Sequence, residues 1–161
     1  MKQFPVGQNA LIRGARHRHK PWLALAAVAL LSACSGSPPD GLGVQDGHLS
    51  PCPSSPNCVA SRAEDEEHRI EPLALRGTPE ETRARLLALL ASEPRAEVVA
   101  QQDNYLRAQF TSKVLRFVDD VEFLIGPQAV EVRSASRLGY ADMGVNRARI
   151  EELRQRLQAS D

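Results

Sequence analysis

Residues 117–157 read FVDDVEFLIGPQAVEVRSASRLGYADMGVNRARIEELRQRL, and this stretch decides the fold. Its first half alternates apolar and polar residues on either side of Pro127-Gln128, the pattern of two antiparallel strands joined by a two-residue turn. That turn pairs Ile125 with Val130, Phe123 with Val132, Val121 with Ser134 and Asp119 with Ser136. The other face sets Glu122 against Arg133, an opposite-charge pair of the kind sheets favour. A three-residue loop would set Phe123 against Glu131 and is disfavoured, because a one-residue slip turns every side chain to the wrong face. The parity that buries Phe117, Val121 and Phe123 also points Asp119 inward, where a carboxylate needs a partner. Arg137, Ser134 and Ser136 stand nearest in register to supply one. After Gly139-Tyr140-Ala141, Asp142 is placed to cap a last helix in which Ile150, Leu153 and Leu157 share a face with Asn146.

Working toward the N-terminus, residues 96–110 alternate around Asp103-Asn104 and form a second hairpin, with Val99 facing Ala108 and Gln101 facing Leu106. Ahead of it, Thr78-Pro79-Glu80-Glu81 is a capping box with proline at the first helical position. The helix it starts runs to about Ser92, turns Leu86, Leu87, Leu89 and Leu90 to a core, and is ended by Pro94. Ile70, Leu73 and Leu75 around Pro72 make a short edge strand. The fold class is α+β: an antiparallel sheet of about four strands packed against two helices, in the order β-α-β-β-β-β-α when the short first strand is counted.

Composition explains the remainder. The formal net charge of zero hides an asymmetry, because residues 1–33 carry five Lys/Arg and no Asp or Glu, leaving the rest at −5. An acidic body does not suit non-specific nucleic-acid binding, which needs a basic face to replace counterions. The basic start, the apolar run from Trp22 to Leu31 and the small residues after it have the build of a secretory signal, too short to span a membrane. Leu31-Ser32-Ala33-Cys34 resembles the lipobox of bacterial lipoproteins. That resemblance implies cleavage of residues 1–33, a lipidated Cys34 and the membrane as a partner through its acyl chains. Ser35 after the cysteine is similar to an outer-membrane sorting signal, which implies a periplasm-facing envelope protein. Residues 35–50, SGSPPDGLGVQDGHLS, read as a flexible tether with a solvated His48. Sixteen such residues span about 20–25 Å, enough to hold a domain at 51–161 off the headgroups.

Cys52 and Cys58, in an exported chain, most simply form a disulfide, which closes the cysteine count once Cys34 is acylated. No metal is expected, since neither His48 nor His68 has ligand spacing to that pair. No cofactor is expected either, because the sequence has no phosphate loop or dinucleotide fingerprint. Three ordered stretches, CPSSPNC, FVDDVEF and RSASRLGYADMGVNRARIE, resemble the domain-of-unknown-function 1499 family over about residues 51–157. The resemblance implies the domain limits and an exported setting, and carries no activity. From the residues themselves, Arg133, Arg137, Asn146 and Arg147, with Ser136 and balanced by Asp119 and Asp120, form one polar corner between hairpin and last helix. The expected role is a binding or assembly module for an envelope protein or a small anionic ligand. The bland alternative is a network that ties the helix to the sheet. The catalytic alternative is an envelope hydrolase using the Asp and Ser residues of the same corner, although no G-x-S-x-G turn accompanies them.

Overall fold

The computed structural model describes residues 36–160, so the expected signal sequence and the expected lipidation at Cys34 lie outside the described residues. In chain order the elements are β1 (Val44–Gln45), β2 (His48–Leu49), β3 (Cys58–Ala60), β4 (Leu73–Ala74) and α1 (Pro79–Ser92). They continue with β5 (Ala96–Gln102), β6 (Tyr105–Thr111), β7 (Val118–Ile125), β8 (Ala129–Ser136) and α2 (Val145–Ala159). The α+β class holds, with two helices on one antiparallel sheet. That sheet has six strands in the order β3-β8-β7-β6-β5, and β4 pairs with β8 as well. β3 has no counterpart in the sequence reading, since three residues after a proline-rich run are too few to show alternation.

The β7–β8 register is the one the Pro127-Gln128 turn dictates, from Ile125 opposite Val130 to Asp119 opposite Ser136. Asp103-Asn104 joins β5 to β6 as a two-residue turn with Gln102 opposite Tyr105 and Gln101 opposite Leu106. Further along, Val98 faces Ala108, and a bulge between Val98 and Ala100 leaves Val99 out of the pairing expected of it. Phe117 also departs from expectation: it precedes β7 in a loop and is 41% exposed. Helix α1 starts as read, with Thr78 Oγ1 accepting from Glu81 N and Glu81 Oε2 accepting from Thr78 N. Helix α2 starts later than Asp142. Gly144 stands at the cap with φ 80°, while the Asp142 carboxylate accepts from Gly144 N at 3.0 Å and Asn146 N at 2.7 Å.

Both helices cover one face of the sheet, the front, where Leu86, Leu90, Ile150 and Leu153 pack against Val121 and Phe123. The core and the elements that enclose it lie inside the described residues, so this segment carries what it needs to fold by itself.

The back face is covered by residues expected to be a tether. Asp46 and Gly47 have φ of 51° and 81°, which turns Val44–Leu49 into a tight hairpin with a twist that suits its strands. Leu49, 6% exposed, packs with Tyr105 and Leu124. Residues 36–49 thus form a strap. Gly36 O accepts from Arg137 Nη1 at 3.2 Å, Gly43 N donates to Glu122 Oε1 at 2.7 Å, and Leu49 N donates to Glu131 Oε1 at 2.9 Å. His48 faces Glu131 at 3.2 Å and keeps about half its side chain in solvent. With helices on one side and the strap on the other, every residue of β7 is buried.

Candidate functional site

Period two separates what the sequence reading put in one corner. Asp119 lies on the front face, with Ser134 and Ser136 from β8. Asp120 lies on the back, with Glu122, Arg133 and Arg137. Arg137 follows the last residue of β8, so the alternation that turns Ser136 forward turns Arg137 backward.

On the front, the partner of Asp119 is Arg149, whose Nη2 donates to Asp119 Oδ2 at 2.5 Å. The same guanidinium lies 4.8 Å over the Phe110 ring and donates through Nη1 to Ser134 Oγ and Asn146 Oδ1. Asn146 is fully buried. Its Oδ1 also accepts from Ser134 Oγ at 2.6 Å, and its Nδ2 donates to Ser136 Oγ at 3.0 Å and to Asn57 O at 2.9 Å. Asn57 Nδ2 donates in turn to Gly139 O at 2.7 Å. The network therefore joins the cysteine loop, the central hairpin and the last helix, the three stretches singled out in the sequence. Arg149 escaped the sequence reading although it lies three residues after Asn146, one turn along the same side of the helix.

On the back, the fully buried Asp120 takes both nitrogens of one fork, Arg137 Nε at 2.7 Å and Nη2 at 3.0 Å, with Arg107 Nη1 3.8 Å away. Fork-to-carboxylate pairing fixes direction as well as charge. Glu122, also fully buried, accepts from Arg133 Nη1 at 3.0 Å, Tyr105 Oη at 2.9 Å and the strap's Gly43 N. Burial, and next the Glu122 charge, push the Tyr105 hydroxyl pKa well above its ordinary value, so it stays a donor. Arg133 Nε is buried with no partner among the described residues.

Arg147 belongs to neither group. It reaches away from the corner and donates to Arg69 O at 2.7 Å and Glu67 O at 2.9 Å, pinning the acidic loop to α2. In that loop His68 is buried, with Nδ1 2.7 Å from Asp65 Oδ1 and Nε2 3.1 Å from Ser55 O. Burial works against its charge, but the Ser55 carbonyl and the Asp65 carboxylate outweigh it and raise the histidine pKa. The Ser55 hydroxyl donates to Asn57 Oδ1 and is not the group that meets the imidazole, so these residues are no nucleophile–base pair.

One part of the front network borders open space. A groove of about 520 Å³ runs between α2 and the ends of β5, β6 and β7, and Asp119, Arg149 and Phe110 line it together with Arg95 and Glu152. Arg156 on its rim is paired with Glu93. Arg95 makes no ion pair among the described residues. Also among the described residues, no three His, Cys, Asp or Glu side chains gather to hold a metal ion, and no helix is long and apolar enough to cross a membrane. Cys52 and Cys58 are disulfide-bonded, with Cα atoms 5.7 Å apart.

Comparison with known families matches residues 48–157 to the family described as "Protein of unknown function (DUF1499)". No curated protein matches the chain.

Proposed function

The chain belongs to the DUF1499 family of proteins of unknown function, and from that premise we propose that it is a lipoprotein of the bacterial envelope whose domain serves binding or assembly. Acyl chains on Cys34 hold it, and Ser35 directs it to the outer membrane, facing the periplasm. The support for this is the lipobox-like Leu31-Ser32-Ala33-Cys34 after a basic and apolar start. One observation carries the binding role: the groups a hydrolase would need are already committed to the fold. Asp120 is closed off by Arg137, and the Ser134 and Ser136 hydroxyls are engaged by Asn146. What remains open is the groove, where the Arg95 cation and the Phe110–Arg149 stack suit a small anionic group or an acidic loop of an envelope protein.

Two measurements test the reading. Membrane fractionation with mass analysis of the mature chain is expected to show an acylated Cys34, and Cys34→Ala is expected to move the protein to the soluble fraction. Titration of the domain with inorganic phosphate, followed by NMR, is expected to shift the amides around Thr111 and Arg149, and Arg95→Gln is expected to abolish the shift. Turnover of an envelope ester, lost in Ser136→Ala while thermal stability is kept, would replace the binding role by hydrolysis.

A further inference from the structure

The exposed large apolar residues of the domain gather at one end of the sheet. Of the eight among the described residues, only Val44 lies elsewhere. Val114, Leu115 and Phe117 stand in the loop from β6 to β7, with Val114 81% exposed. Leu138, Tyr140 and Met143 stand in the connection from β8 into α2, with Met143 95% exposed, and Val145 opens α2. The two loops are neighbours. Thr111 pairs with Val118, Asp119 pairs with Ser136, and Arg137 N donates to Val118 O at 3.1 Å, so both loops leave the sheet at the same end. Lys113 and Arg116 flank the apolar pair Val114-Leu115, and neither makes an ion pair among the described residues. The one acid of the second loop, Asp142, is occupied by Gly144 N and Asn146 N. The far end of the sheet carries the turns Asp103-Asn104 and Pro127-Gln128, and none of these four turn residues is a large exposed apolar one.

The strap fixes where the chain's anchor leaves the domain. Gly36 O accepts from Arg137, and a Cβ built on Gly36 would lie 3.1 Å from Arg137 Cβ and 3.2 Å from Leu138 Cγ. Gly36 therefore sits at the apolar end, against the second loop. Cys34 is two residues ahead of it, a reach of at most about 7 Å of extended chain. The sixteen-residue tether expected from composition is not free to hold the domain away from the headgroups. Apolar side chains with adjacent cations and an amphipathic tyrosine are what an anionic bilayer surface accepts.

From this coincidence we infer that the end of the sheet formed by residues 112–117 and 137–145 docks on the lipid bilayer, with Leu115 and Met143 among the acyl chains and Lys113 and Arg116 at the phosphates. The inference rests on the reading of Cys34 as lipidated. The domain stands upright on the membrane, with the Asp103-Asn104 turn farthest from it.

The test uses the mature acylated protein in vesicles of phosphatidylethanolamine and phosphatidylglycerol. An environment-sensitive fluorophore is placed on Val114→Cys, Met143→Cys or, as the far-end control, Asp103→Cys. Docking predicts a blue shift and quenching by nitroxide-labelled lipids at 114 and 143, with a water-like signal at 103. Water-like signals at all three positions on an acylated protein overturn docking while leaving the anchor intact. Shifts at 114 and 143 in native membranes but not in protein-free vesicles also overturn it, because a protein then covers the patch. If mass analysis finds Cys34 bare, the anchor reading fails, and flotation of the unacylated domain with the same vesicles decides docking alone. Flotation that falls roughly fivefold for each of Lys113→Gln and Arg116→Gln, and is lost in Leu115→Asp, upholds it. No flotation overturns it.

Discussion

Arg137, Asn146 and Arg147 looked alike in the sequence, and the structure gives them three different jobs with three different costs. Arg137→Ala leaves the fully buried Asp120 without its bidentate partner, a change worth about 3–5 kcal/mol. Asn146→Ala removes bonds to Ser136, Ser134 and Asn57 and is expected to cost about 1–3 kcal/mol. Arg147→Ala loosens a surface tie and should cost no more than about 1 kcal/mol. Urea unfolding of the three variants reads this order directly, and equal losses would mean that the corner acts as one unit after all. His68 provides a second prediction, in pH. Its folded pKa lies above the ordinary 6.5, so its stabilisation is complete below pH 6.5 and is lost as pH rises through the folded value. The Asp65 pKa is lowered below the ordinary 3.8, chiefly by the hydrogen bond from His68 N, so its share is lost only as pH falls through that depressed value. The midpoint of thermal unfolding is therefore expected to decline above pH 6.5 in the natural protein, and His68→Gln should lack that step.

At the scale of elements, α1 and the two long hairpins were legible because each carries a local instruction: a capping box, a Pro-Gln turn, an Asp-Asn turn. The site was legible only in part. Alternation puts Asp119 and Asp120 on opposite faces, which the sequence reading passed over in grouping both in one corner, and nothing local tells that the back face is covered, because its cover arrives from residues 36–49, some eighty positions away. A tract rich in Gly, Pro and Asp reads as linker on composition, yet Asp46-Gly47 is the short-range hairpin signal that composition hid. The bulge at Val99 is likewise a matter of pairing, with no residue type to announce it. The strap's weight in the fold can be measured. Leu49→Ala is expected to destabilise the domain by about 2 kcal/mol. It should also raise hydrogen exchange in β1, β2 and the Tyr105–Leu124 pair before the α1–α2 side of the sheet responds.

For the whole molecule, the arrangement is a sheet with a structural front, a buried ionic back and two unlike ends. The Cys52–Cys58 bond sits where strap and sheet meet, and on the chain-entropy model it contributes about 2 kcal/mol. Reduction is expected to lower the midpoint of thermal unfolding of the isolated domain by roughly 5–10 °C, read by circular dichroism with and without a thiol reductant. The strap also has a mechanical side. Tension applied to the chain ahead of Gly36 would enter the domain there and meet the contacts of residues 36–49 in order, first Arg137, then Glu122, then Leu49. At Cys52 the covalent bond to Cys58 would pass the force into β3, the edge strand, and from there to β8. The strap would then act as a fuse between the chain ahead of it and the core. A modest pull bares the Glu122–Tyr105 pair to water, and only a larger one reaches the packing beneath the helices.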